Sequence, residues 1–426
     1  MREKMTGRVL PLEGLRGLAA ISVVIYHYLV LVFPVMYYGP VTAQHTRFED
    51  NLHGSPLMSL ISGSFAVSIF FVLSGFVLTV GYFQTKDINI IKRLATRRYL
   101  RLMVPALASV IIAWVLIVLG LSHIQQAYAI TLSPGLNLTW DQNTSFFKAL
   151  YEGSVGIFTG GNTFGYNSVL WTMKYEFLGS FIVFAAAVLF AKSKYRYIVY
   201  LVLAVALFNT WFIGFIIGML IADLYVNKAE LIEKLKVRYA VLMLATAVFL
   251  GGFPWNGAEL TIYRYLQIPT FDTFQNQAVW GALGAALLIV AIFRIGILQR
   301  VLSSPLMTKI GSYTYSLYLV HQPIIYTLGM TLFVLILSST GYTMAVVLAG
   351  LLTAPLIVVA TAIFHKYVEA PSITLSSTFD KLINNQITFA SVFTQSYRTF
   401  WKNFRLVLSR IFLTKETVYE VDNKNI

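Results

Sequence analysis

The apolar residues of this 426-residue chain arrive in blocks of about twenty, and that pattern limits the chain to very few folds. Twenty helical residues rise about 30 Å, the thickness of a bilayer's hydrocarbon core. A backbone crossing that core must satisfy its own hydrogen bonds, and a helix does so within one segment. The blocks predict an all-α, polytopic membrane helix bundle with spans near 15–37, 57–82, 103–122, 174–192, 196–208, 210–226, 238–253, 276–293, 312–337 and 343–367. Charged residues are only 12% of the chain, too few to coat a soluble domain of this length.

The net charge of +14 invites a nucleic-acid reading, but its placement argues for topology instead. With these spans, every Lys and Arg except Arg47, Lys148, Lys174 and Arg264 falls on the side that holds both termini. That is the positive-inside asymmetry, so both ends are expected in the cytoplasm and no nucleic-acid partner is expected. The apolar stretch after the basic start is long enough to span and lacks a small-residue cleavage site, so it is expected to remain as the first helix. There is no cysteine, which excludes disulfides and thiolate chemistry. His45, His53 and His123 lie in connecting segments without ligand-like spacing, and no metal site is expected. Residues 372–426 read as a cytoplasmic tail, with a basic amphipathic segment at 392–413 suited to anionic lipid.

Two connections on the opposite side, 38–56 and 123–173, are substantial. The longer is rich in amides and aromatics, among them Trp140, Tyr166 and Asn167. It reads either as a re-entrant lid packed on the bundle or as part of a site for a hydroxyl-rich molecule, the two carrying equal weight.

Chemistry enters with the first span. Arg16 and His27 are eleven residues apart, three helical turns, so they share one face and are separated by roughly 16 Å along the axis. Arg16 would sit at the inner edge and His27 near mid-membrane, where an ionisable residue marks a pathway or a site. Neutral imidazole suits general-base work on a hydroxyl; the plainer alternative is interhelical glue. Glu176, with Trp171 and Lys174 at the start of the fourth span, is a carboxylate in need of a partner. It would orient His27, bind an acceptor hydroxyl, or form a structural ion pair. Tyr318, His321 and Gln322 share a helical face that should turn inward and line an acceptor or acyl route, or form a packing network. Ser74 has no base nearby in sequence, and with Gly75 it reads foremost as close helix packing. Glu369 and Pro371 mark the expected end of the tenth span.

The opening LEGLRGLAAISVVIYHY, with FFVLSGFVLT at 70–79, RRYLRLMVP at 97–105, NSVLWTMKYEF at 167–177, IGSYTYSLYLVHQP at 310–323 and YVEAP at 367–371, resembles acyltransferase family 3. These integral-membrane enzymes acylate carbohydrates and other hydroxyl compounds. Glu13 stands where Asp is more usual. The resemblance implies a membrane acyltransferase domain over residues 1–371, with acetyl-CoA or another acyl-CoA as donor. It implies Arg16, Arg98 and Arg101 as donor-phosphate ligands and a hydroxyl compound as acceptor; the aromatic, amide-rich outer loop favours a cell-surface or lipid-linked carbohydrate. The resemblance also implies the inner membrane of a bacterium as the setting, membrane lipids being the other partner. Paired guanidinium forks suit phosphates, although lipid phosphates would serve them as well. A secondary transporter or channel using a mid-membrane histidine is the alternative, against which stands the absence of an inverted repeat.

Overall fold

The computed structural model describes residues 9–137, 140, 145–160 and 165–388, and every regular element among them is helical. Among the described residues seven helices are long and apolar enough to cross a membrane, and three shorter apolar helices accompany them. The chain divides into two units, Met1–Ile373 and Thr374–Ile426. The second is described only as far as residue 388, so the expected amphipathic segment at 392–413 lies outside the described residues.

Helix α1 (Leu10–Val32) carries Pro11 in its first turn, where a missing N–H leaves no bond unmade. It stops because Phe33 precedes Pro34 and is forced out of the helical region. The span therefore begins and ends about five residues before the expected 15–37. Its midpoint is residue 21, so His27 lies six residues beyond it, about 9 Å further from the Arg16 end than mid-helix.

Helix α2 (Gly63–Thr85) is capped by the Ser62 hydroxyl, which accepts from the Phe65 amide. Helix α3 (Ile88–Val118) is capped by Asp87. The basic stretch expected to connect spans is thus the first third of α3. Hydropathy could not show this, because a helix needs only one apolar face, here Ile91 and Leu102, to bury.

Residues 146–159 form a single run of helix with a π-turn at Glu152–Gly156. It is labelled α4 and runs back along α3. Phe146 meets Trp114 at one end, and Phe158 and Ser154 meet Tyr99 at the other. The connection between α3 and the next span, α5 (Thr172–Phe190), therefore re-enters the bundle over about 22 Å of α3.

The shorter helices α6 (Arg196–Ala206), α7 (Phe212–Asn227) and α8 (Val237–Gly251) lead to α9 (Thr273–Ile292). Helices α2 and α7 pack backbone to backbone. A methyl on Gly75 would sit 2.1 Å from the Phe215 carbonyl oxygen, and one on Gly218 would sit 2.0 Å from that of Val72. This is close packing by small residues, as read for Gly75.

Helix α10 (Pro305–Ser312) packs on α1, and the span expected at 312–337 follows it as α11 (Thr314–Leu337), with a π-turn at Ile325–Gly329 just past Pro323. The last long helix begins as α12 (Tyr342–Phe364), takes a π-turn at His365–Glu369 and continues as Ala370–Ile383. Pro371 does not end it, contrary to expectation. The wide turn is the kind of local adjustment by which membrane helices accommodate proline, and it leaves Glu369 buried.

Candidate functional site

The opening helix meets α11 at two imidazoles. His321 Nε2 stands 3.1 Å from His27 Nδ1, with ring centroids 5.0 Å apart. Each Nδ1 also faces the carbonyl one turn back, His27 that of Val23 at 2.9 Å and His321 that of Leu317 at 2.9 Å. His321 is wholly buried, whereas His27 keeps partial access and its Nε2 makes no hydrogen bond among the described residues. His27 therefore faces the bundle interior, and one ring nitrogen remains available for chemistry.

Why α11 holds this position follows from its sequence. Pro323 has no amide proton, so the Leu319 carbonyl four residues earlier loses its helical donor. The Asn167 side chain supplies one at 2.9 Å. The neighbouring backbone is held in the same way. The Val169 amide donates to Gln322 Oε1, the Tyr318 hydroxyl donates to the Val169 carbonyl, and Thr172 meets that hydroxyl at 2.8 Å. The re-entrant connection is thus clamped on the Tyr318–Gln322 turn. Tyr318, expected to line a route, has its hydroxyl occupied by this clamp, and Asn167 is buried in it rather than open to a sugar.

The arginines converge nearer the start of α1. Arg101 lies within electrostatic reach of Arg16, Arg98, Glu369 and Tyr315. Arg98 donates to the Glu176 carboxylate at 2.6 Å and to its carbonyl at 3.1 Å, while the Ser74 hydroxyl donates to the other carboxylate oxygen at 2.9 Å. Glu176 is therefore committed to the ion-pair role among those open to it, and its hydrogen bonds do not go to His27. Arg98 is held by a carboxylate, yet its Nε is buried and unpartnered among the described residues. Arg16 and Arg101 have no hydrogen bond or ion pair among the described residues, and Arg16 is exposed. Three guanidiniums thus gather around too few anions, an arrangement that favours a multiply charged anionic ligand.

The other expected residues fall around these two centres. Glu13 is partly exposed in the first turn of α1, three residues before Arg16. Trp171 belongs to an aromatic group with Tyr175, Trp211 and Phe274. Phe274 meets Trp255, which stacks on Tyr37, and Tyr37 meets Tyr26 beside His27. Sequence reasoning missed this aromatic chain, because its members come from six separate segments. It also gave Glu369 no partners. The carboxylate accepts from Ser316 at 2.6 Å and contacts His365 Nδ1 at 3.0 Å. The His–x–x–x–Glu spacing in the sequence was the available signal.

Outside the spans, burial holds the His53 imidazole below its ordinary pKa. Its Nδ1 faces the Met36 carbonyl and its Nε2 is buried without a partner among the described residues. No group of three or more His, Asp or Glu side chains suited to a metal occurs among the described residues.

Residues 10–364 match the family described as an acyltransferase domain. Among characterised proteins, the chain is 24% identical to an acyltransferase, clz18, of Cochliobolus lunatus, over 74% of this chain and 81% of that one. It is 25% identical to the O-acetyltransferase PaAT-1 of Phomopsis amygdali, over 86% and 83%. It is 23% identical to acyltransferase R4 of a Phoma species, over 74% and 81%. No solved structure matches. These relatives are fungal and lend no support to the bacterial setting expected above.

Proposed function

Because this chain belongs to acyltransferase family 3, we propose that it moves an acyl group, acetyl first, from coenzyme A to a hydroxyl of an acceptor on the other side of the membrane. Acyl transfer by a membrane-embedded enzyme is the part the family match carries. Donor, sidedness and acceptor belong to the proposal, which the site and the charge asymmetry of the chain support.

Coenzyme A is a phosphate-rich anion, and its phosphates would dock on Arg16 and Arg101, with the charge of Arg98 beside them. The charge asymmetry supports a cytoplasmic placement of that end. The pantetheine arm then runs along the α1 stripe, roughly 16 Å, to bring the thioester to His27. An acceptor hydroxyl enters from the opposite end. His27 removes its proton as the oxygen bonds to the acyl carbon, the carbon–sulfur bond breaks, and the proton passes on to the departing thiolate. Neither substrate has to cross. A carbohydrate is the proposed acceptor, the aromatic chain from Tyr26 to Trp171 offering ring faces on which sugars stack. The O-acetyltransferase among the relatives supports oxygen as the accepting atom and acetyl as the group.

The observation that carries the reading is a histidine inside the bundle with one ring nitrogen unbonded among the described residues, on the same stripe as an arginine three turns below that has no partner among them. Incubating membranes containing the protein with acetyl-labelled coenzyme A tests it. Label should appear in base-labile ester, and His27→Ala should lack it. Equal labelling by His27→Ala removes the base from the scheme.

A further inference from the structure

Hydrogen-bond accounting at the imidazole pair fixes more than proximity. A carbonyl oxygen can only accept, so the Leu317 carbonyl 2.9 Å from His321 Nδ1 requires a proton on that nitrogen. A neutral His321 then has a bare Nε2, an acceptor, and this atom faces His27 Nδ1 at 3.1 Å. The Val23 carbonyl at 2.9 Å faces the same His27 nitrogen. Both neighbours of His27 Nδ1 are acceptors, so that nitrogen carries the proton and shares it between them. His27 Nε2 must then hold the lone pair.

From this we infer that His321 is a positioning residue, which selects the tautomer of His27 and makes Nε2 the atom that takes the acceptor's proton. The inference rests on the acyl-transfer reading above. It gives His321 the part a carboxylate plays behind a catalytic histidine, with one difference: a neutral imidazole accepts the hydrogen bond without placing a full negative charge in the bundle interior. When Nε2 of His27 gains the acceptor's proton, the imidazolium charge spreads onto a hydrogen bond already in place, and the proton leaves by the same atom to the thiolate. His321 itself exchanges no proton over the cycle.

The supporting shell explains how His321 can do this. Asn167, Val169 and Thr172 lock the turn before it, on the face of α11 that carries Tyr318 and Gln322. The Leu317 bond orients the ring itself, and no residue of the shell supplies a competing donor to His321 Nε2.

The test uses the full-length protein in detergent, with acetyl-CoA and a hydroxyl acceptor, comparing His321→Phe with His321→Gln. Phe keeps a ring of similar size and removes the acceptor, so kcat should fall by about 10-fold to 100-fold, the usual worth of a hydrogen bond to a charged group. The KM for acetyl-CoA should stay within about twofold, because the donor is bound elsewhere. Gln presents an amide oxygen near the lost nitrogen and should recover most of kcat. A folded Phe variant with wild-type kcat, or a Gln variant no better than Phe, overturns the assignment. Nitrogen-15 spectra of histidine-labelled wild-type protein give an answer that needs no stable variant. The signal lost in His27→Gln should show a protonated Nδ1 and a bare Nε2, and the opposite tautomer overturns the inference. An inactive His27→Ala beside a fully active His321→Phe would sink only this inference, whereas an active His27→Ala sinks the acyl-transfer mechanism beneath it.

Discussion

Replacing Glu176 by Leu should reveal what holds Arg98 inside the bundle. The two side chains are 13% and 15% exposed and meet at 2.6 Å, and the same carboxylate accepts from Ser74. Without it, the guanidinium keeps only the carbonyl of residue 176 at 3.1 Å, with its Nε already unpartnered among the described residues. Stranding one member of a buried pair costs about 3–5 kcal/mol, so the folded-to-unfolded ratio should drop by at least roughly 150-fold. Arg98→Leu should cost a similar amount. The double variant removes both charges together and should lie close to wild type, because apolar replacement of a whole buried pair is near neutral. Unfolding by SDS titration in detergent micelles measures all four proteins, and with both single variants impaired and the double variant near wild type the coupling energy of the cycle should be about 6–10 kcal/mol in magnitude. The double variant also separates structure from donor binding: if Arg98 touches the donor, this stable protein should show an acetyl-CoA KM raised by about tenfold or more. A Glu176→Leu protein as stable as wild type would refute the ion-pair account.

Other consequences are simpler to state. Arg16→Gln should raise the acetyl-CoA KM by about tenfold while leaving the melting temperature unchanged, since Arg16 is exposed and has no partner among the described residues. Gly75→Ala should lower stability by about 1–3 kcal/mol, because its methyl would lie 2.1 Å from the Phe215 carbonyl oxygen and α2 and α7 would have to separate. His53 binds its proton less readily folded than unfolded, because burial disfavours its charged form. The unfolded chain therefore takes up more protons as pH falls through its ordinary value near 6.5, and stability declines from there toward the depressed folded value. His53→Phe should flatten that part of the stability-versus-pH curve, as melts between about pH 7 and pH 5 would show.

Sequence carried the architecture wherever the signal was local. The apolar blocks located the helices, and the eleven-residue spacing placed Arg16 and His27 on one stripe. What it could not carry was pairing across the bundle. Ser74 has no base near it in sequence because Glu176 is 102 residues away, and His27 and His321 are separated by 294 residues. Depth was also misjudged where charge is mixed with apolar residues. The first third of α3 reads as a loop to any hydropathy window, although its Arg98 reaches the carboxylate of α5. The long connection left two readings open; its described part packs on the bundle, where the Asn167 amide supplies the donor that Pro323 lacks. Proline in a membrane helix needs an outside donor, and Asn167 to Leu319 is that rule made specific.

Where the two substrates meet decides between transfer across the membrane and transfer on one side of it. Sealed inverted vesicles, loaded with a hydroxyl acceptor and given acetyl-labelled coenzyme A only on their exposed cytoplasmic face, measure this directly. The expected result is esterified label inside the vesicles, lost in His27→Ala and dependent on external donor. Label accumulating inside at the wild-type rate with His27→Ala, or only when the donor is sealed within, would contradict it.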